Sequence, residues 1–73
     1  MKAICTVDTL KDTIKELKAM GYVWVSGDPS AEEIRQTNPK TKYFVIDCFY
    51  NYRLKRNEMQ YESESWYKKH NLI

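Results

Sequence analysis

The residues best suited to chemistry in this chain lie together at residues 49–56, FYNYRLKR. The run contains the aromatic residues Phe49, Tyr50 and Tyr52 and the cationic residues Arg53, Lys55 and Arg56. Arginine forms forked hydrogen bonds to phosphate, and a tyrosine ring offers a face on which a base can stack. The run therefore suits a nucleotide or single-strand binding site. It equally suits a solvated hairpin connection whose tyrosines pack on the sheet, and the sequence leaves both interpretations open.

A second candidate is the run GYVWVSGDP at residues 21–29. In a strand, Tyr22 and Trp24 share one face, while Val23 and Val25 share the other. A helix pattern precedes this strand, so we expect the valines to meet the helix and Trp24 to lie on the open face as an anchor for a ligand or partner. A further helix over that face would instead bury Trp24. The predicted ligand-binding residues are Tyr22, Trp24, Tyr50, Tyr52, Arg53, Lys55 and Arg56.

Residues for catalysis and metal binding are few. The single histidine, His70, lies near the C-terminus, where a histidine is usually exposed to solvent rather than positioned as a catalytic base. Two cysteines without CxxC spacing do not form a four-ligand zinc site. Two glycines are too few for a glycine-rich phosphate loop. We therefore predict no enzyme, with no catalytic residue, no metal ligand and no cofactor.

Three residues within apolar strand patterns need a structural explanation. Cys5 and Cys48 are best interpreted as reduced, buried thiols, although two neighbouring strands could bring them together in a disulfide. Asp47 stands in the most apolar strand of the chain. A carboxylate there pairs with Lys or Arg on a neighbouring strand, or faces a ligand pocket.

Size and composition limit the architecture. The 73 residues form one domain, residues 1–73, with a thin stability margin that self-association would increase. Two Trp, six Tyr and two Phe are too many for so small a core to hide, so some line a surface or an interface. No apolar run is long enough to span a membrane, and the start does not resemble a signal peptide. We expect a cytoplasmic protein without a membrane partner.

Hydrophobic periodicity predicts the order β-α-β-(short α)-β-β-α. The predicted strands cover residues 2–7, 22–25, 42–50 and 58–62, and the predicted helices cover 8–21, about 30–36 and a segment from about 63; residues 71–73 are a tail or an edge strand. Gly21 should end the first helix, and Ser30 with Glu33 should cap the second. The strand at 42–50 is apolar on both faces and should be central. The fold class is α+β: a small, mostly antiparallel sheet of three or four strands, with one main helix on one face and one or two short helices.

The run LKAMGYVWVSGDPS, with YFVID and NEMQYESE downstream, resembles a class of small accessory proteins encoded by bacteriophages and other mobile elements. Their pattern is a helix, then Gly-Tyr-x-Trp-x-Ser-Gly, a polar loop, an apolar strand, and a short strand with an aromatic residue near its end. The matching residues are Gly21, Tyr22, Trp24, Ser26 and Gly27. The resemblance implies a small viral or prophage protein that counters host defence by binding.

Three functions follow from these features. The first is a non-enzymatic module, a homo-oligomer, that sequesters a small anionic, nucleotide-like ligand in the host cytoplasm. The second is an inhibitor that binds a host protein through its aromatic surface. The third is a weak nucleic-acid-binding protein, which a net charge of only +2 makes the least favoured.

Overall fold

A computed structural model describes residues 1–70, except for the side chains of Ser63, Glu64 and Tyr67. The elements are β1 (Lys2–Thr6), α1 (Leu10–Ala19), β2 (Val23–Trp24), α2 (Ala31–Thr37), β3 (Tyr43–Asn51), β4 (Arg56–Ser63) and α3 (Glu64–Lys69). Their order is the predicted one, and the α+β class is confirmed. The predicted tail or edge strand at 71–73 lies outside the described residues.

The sheet has four strands in the order β1-β3-β4-β2. β3 pairs antiparallel with both β1 and β4, so its predicted central position is confirmed. β2 is parallel to β4 and contributes only two residues, beside Glu58 and Met59. Among the described residues, no helix combines the length and apolar character needed to cross a membrane.

Two helix ends follow the predicted chemistry. Gly21 has a φ of 96°, and its N–H donates to the carbonyl of Lys18, while the Tyr22 N–H donates to the carbonyl of Leu17. This is the Schellman pattern, in which glycine tolerates the left-handed backbone. Ser30 and Glu33 form the predicted capping box at the start of α2. Thr9 and Asp12 have the spacing of a weak capping box, but none forms at the start of α1, because the Thr9 hydroxyl accepts the Thr6 N–H instead.

The core lies on one face of the sheet, beneath the apolar stripes of α1 and α2. Its buried members are Cys5, Leu10, Ile14, Leu17, Trp24, Ile34, Phe44, Ile46, Cys48 and Met59. The helical period puts Met20 on the same stripe as Leu10, Ile14 and Leu17, but Met20 is exposed. Helix α3 contacts β3 and β4.

The predicted orientation of β2 was wrong. Trp24 is only 6 % exposed, whereas Val23 and Val25 are 43 % and 42 % exposed. The cause is the register of β2 on β4: Trp24 pairs with Met59, and directly paired residues share a face of the sheet. Met59 faces the core, so Trp24 must do so too. Trp24 is a core residue and not an anchor on an open face.

Both cysteines are free and buried, as predicted for reduced core thiols. Cys5 lies opposite Phe44, and Cys48 lies four residues beyond Phe44 along β3. At ~3.3 Å per residue their Cα atoms are separated by roughly 13 Å along the strand, far beyond the reach of a disulfide.

We expect Trp24→Ala to lower the free energy of unfolding by about 3–5 kcal/mol, because it removes the largest side chain of the core. Val25→Ala, two fifths exposed in the same loop, should cost no more than about 1 kcal/mol. Thermal unfolding followed by circular dichroism measures both. A Trp24→Ala protein as stable as Val25→Ala would contradict the core assignment.

Candidate functional site

An open cleft of about 630 Å³ lies where the chain leaves α1 and passes along β4. It is lined by Lys18, residues 21–28 and Arg56. We call it the 21–28 cleft. Its wall is the run GYVWVSGD, the second of the two candidate segments in the sequence.

The wall is held at both ends by backbone geometry. The Schellman turn at Gly21 fixes where the segment begins, and the Val25 N–H donates to the Met59 carbonyl at 3.0 Å. Gly27, with a φ of 66°, then turns the chain away from β4 toward Pro29. Glycine adopts this left-handed conformation without the steric cost that other residues incur. The cleft is thus formed by a short loop between two fixed points.

Each cation of the cleft has an acidic partner. Lys18 Nζ lies 2.6 Å from Asp28 Oδ1, and both side chains are well exposed to solvent. Such a surface pair contributes at most about 1 kcal/mol, so an anionic ligand could displace Asp28 at little cost. Arg56 is paired more firmly, with a buried carboxylate.

That carboxylate is Glu58, which is 1 % exposed. Arg56 Nε and Nη2 donate to Glu58 Oε2 at 2.8 and 2.6 Å, and Asn51 Nδ2 donates to Oε1. The hydrogen bond from Asn51, then that from Arg56, lowers the pKa of Glu58 below its ordinary value. The alternation of Met59 and Tyr61 with polar residues predicts a half-exposed strand with Glu58 on its polar side, but Glu58 is buried. The sequence signal for this burial is that Asn51, Arg56 and Glu58 lie close together around one hairpin, where their side chains can hydrogen-bond to one another.

The structure divides the predicted ligand-binding residues between two places. Tyr22, Trp24 and Arg56 line the 21–28 cleft. Tyr50, Tyr52, Arg53 and Lys55 lie on the hairpin that joins β3 to β4, and they do not line it. Within the cleft Trp24 is a buried wall, and the forked face of Arg56 is taken up by Glu58.

The hairpin projects its aromatic side chains into solvent. Tyr52 is 84 % exposed and Leu54 54 % exposed. The Tyr50 and Tyr52 rings meet edge to face, with centroids 4.9 Å apart. Tyr52 therefore does not pack on the sheet, contrary to the alternative of a hairpin whose tyrosines cover it. We call Tyr50, Tyr52, Arg53, Leu54 and Lys55 the hairpin tip.

The remaining reactive residue types have structural surroundings. Burial raises the pKa of the Cys5 and Cys48 thiols, which keeps them protonated. The His70 ring stacks on Trp66 at a centroid distance of 4.1 Å. Asp47 lies directly opposite Lys2 of β1 in the strand pairing. In the described part of the chain, no group of three or more acidic, histidine or cysteine residues could hold a metal ion.

Comparison of the chain with protein-family models, with curated proteins and with solved structures found no match. The class that the fold defines is a small α+β domain with a four-stranded sheet. The 21–28 cleft and the hairpin tip hold its predicted ligand-binding residues.

We expect Glu58 to make the fold acid-sensitive. Because the folded pKa of Glu58 is lowered, its stabilising contribution is complete above the ordinary pKa of a glutamate and is lost as the pH falls through the folded value. Thermal unfolding should be measured between neutral and acidic pH. The Glu58→Gln variant should be less stable than the wild type at neutral pH, and its stability should change less as the pH falls. The exposed Glu16→Gln variant is the matched control. A Glu58→Gln variant with the pH profile of the wild type would contradict this role.

Proposed function

We propose that this protein is a non-enzymatic binding module that sequesters a small anionic, nucleotide-like ligand in the 21–28 cleft. The observation that carries the proposal is the cleft itself. Its volume of about 630 Å³ is within the range of small-molecule sites, and it combines aromatic side chains with a lysine. The mostly buried aromatic wall would need no ordering when a ligand binds.

The chemistry of binding follows from the side chains of the cleft. Lys18 exchanges the Asp28 carboxylate for the anionic group of the ligand. Tyr22, half-buried against the core, offers apolar and hydrogen-bonding surface to a ring. Gly27 has no side chain, so a ligand can approach the backbone closely there.

The proposed biological role rests on the resemblance to bacteriophage and mobile-element accessory proteins. Such a module would counter a host defence in the host cytoplasm by removing its nucleotide signal. The protonated, buried thiols support binding without covalent chemistry. Met20, Val23 and Val25 are exposed apolar residues in or beside the cleft, which supports a second subunit that covers it.

Calorimetric titration with a panel of cyclic and linear nucleotides should detect binding of at least one of them. Lys18→Ala should weaken that binding by up to about fivefold, the equivalent of one exposed charge interaction. Lys15→Ala removes the same charge from the same helix, outside the cleft, and should leave the affinity unchanged. No binding by folded protein anywhere in the panel, or equal losses in the two variants, would overturn the proposal.

A second candidate function is the inhibition of a host protein through the hairpin tip. The observation that favours it is the exposure of Tyr52 and Leu54 on a convex hairpin flanked by Arg53 and Lys55. Aromatic and arginine residues dominate the binding energy of protein interfaces. A convex surface suits a macromolecule better than a small ligand.

Affinity capture from a bacterial host lysate tests this candidate. The wild type should retain one stoichiometric protein, and the double variant Tyr52→Ser/Leu54→Ser should lose it while its melting temperature is maintained. Tyr43→Ser, an exposed tyrosine of β3 away from the tip, is the control. If nucleic acid is retained instead, with an affinity that falls steeply with salt, the tip is a nucleic-acid surface and this candidate is wrong.

A further inference from the structure

Within residues 1–70, the outer edge of β4 is only partly covered. β2 pairs with β4 at Glu58 and Met59 and then turns away, whereas β4 continues to Ser63. The Val25 N–H donates to the Met59 carbonyl, so the backbone groups of Met59 point toward β2. Backbone groups alternate in direction along a strand, so those of Tyr61 point to the same side. Tyr61 therefore directs an N–H and a carbonyl to an edge that β2 does not reach.

A groove of about 300 Å³ lies along this edge. It is lined by Trp24, Val25, Ser26, Pro29, Met59, Gln60, Tyr61 and Glu62. We call it the β4-edge groove. Trp24 lines both this groove and the 21–28 cleft, and the two differ in chemistry because this one is flanked by a strand edge.

The two sides of the groove differ in character. On the core side, the Trp24 and Tyr61 rings meet edge to face with centroids 5.8 Å apart, and Pro29 lies beside them. On the other face of β4, Glu62 and Gln60 line the groove, and Asp47 of β3 pairs with Gln60. The Trp24 indole Nε1 is buried and has no hydrogen-bond partner in the described part of the chain. One side is thus aromatic and apolar, and the other is more polar, with Glu62 as its acidic lining residue.

The opposite edge of the sheet is protected at both ends of its strand. On β1, the Thr9 hydroxyl accepts the outward Thr6 N–H, and Lys2 stands at the start of the strand. Lysines and satisfied backbone groups prevent an edge strand from pairing with another chain. The described part of β4 beyond Met59 carries no lysine and no proline.

We propose that the β4-edge groove binds an extended segment of a partner protein, which pairs with β4 as an added strand. The backbone groups of Tyr61 supply the hydrogen bonds, as in other complexes formed by strand addition. Successive side chains of the added strand point to opposite faces. Those on the core side should be apolar to match Trp24, Tyr61 and Pro29, and those on the other side should be basic to match Glu62. The partner segment therefore alternates apolar and basic residues.

Titration of the ¹⁵N-labelled protein with an acetylated hexapeptide of alternating Lys and Val tests the proposal. Binding should shift the Tyr61 amide resonance and slow its hydrogen exchange. Glu62→Lys should weaken the peptide at least about tenfold, since it places like charges together. Glu16→Lys, the same change on the exposed side of α1, should bind as the wild type does.

Two further peptides, methylated in alternate registers, isolate the backbone contribution. Methylation of alternate peptide nitrogens removes the donors of one edge, so one of the two methylated registers should lose binding while its side chains are unchanged. An unaltered Tyr61 amide at millimolar peptide, or undiminished binding of both methylated peptides, would overturn the proposal. Protection of Tyr61 that rises with protein concentration in the absence of peptide would also overturn it, because a second copy would then occupy the groove.

Discussion

The parallel pairing of β2 with β4 is the constraint on which the rest of the molecule depends. Two residues of β2 make this pairing, and their register places Trp24 beside Met59, on the core side of the sheet. The same pairing holds the end of α1 over the sheet. Because the chain then turns away from β4 at Gly27, one short contact leaves the 21–28 cleft on one side of Trp24 and the β4-edge groove on the other. The 21–28 cleft and the β4-edge groove are both consequences of a strand that ends early.

The hairpin depends on a second interaction, the burial of Glu58. A buried carboxylate is tolerated only where hydrogen bonds and a countercharge replace its lost hydration. Asn51 and Arg56 provide both from either end of the turn. Arg56 is thereby used for folding, so the positive charge of the FYNYRLKR run that remains for a partner is that of Arg53 and Lys55. The Nε and Nη2 donors of the Arg56 guanidinium group bind Glu58, so this face of the group is not open to a ligand.

Because the domain is small, some of its aromatic residues form the core and others remain on the surface. A core of ten buried residues needs Trp24 and Phe44 as its largest members. The hairpin tyrosines, Tyr50 and Tyr52, lie outside this core and are exposed to solvent. These exposed aromatic rings indicate a binding surface, because a partner that covered them would remove apolar area from water and so gain hydrophobic free energy.

The sequence alone determined the element order, the central place of β3, the glycine that ends α1 and the cap of α2. Each of these depends on local chemistry: hydrophobic period, left-handed backbone at Gly21, and a side chain three residues from its partner. Tertiary structure alone decided the orientation of Trp24, the burial of Glu58 and the separation of the predicted site residues into cleft and hairpin tip. The alternation of side chains shows which residues share a face, but it does not show which face meets the core. That choice follows from pairing with a strand more than thirty residues away, whose register no local pattern records.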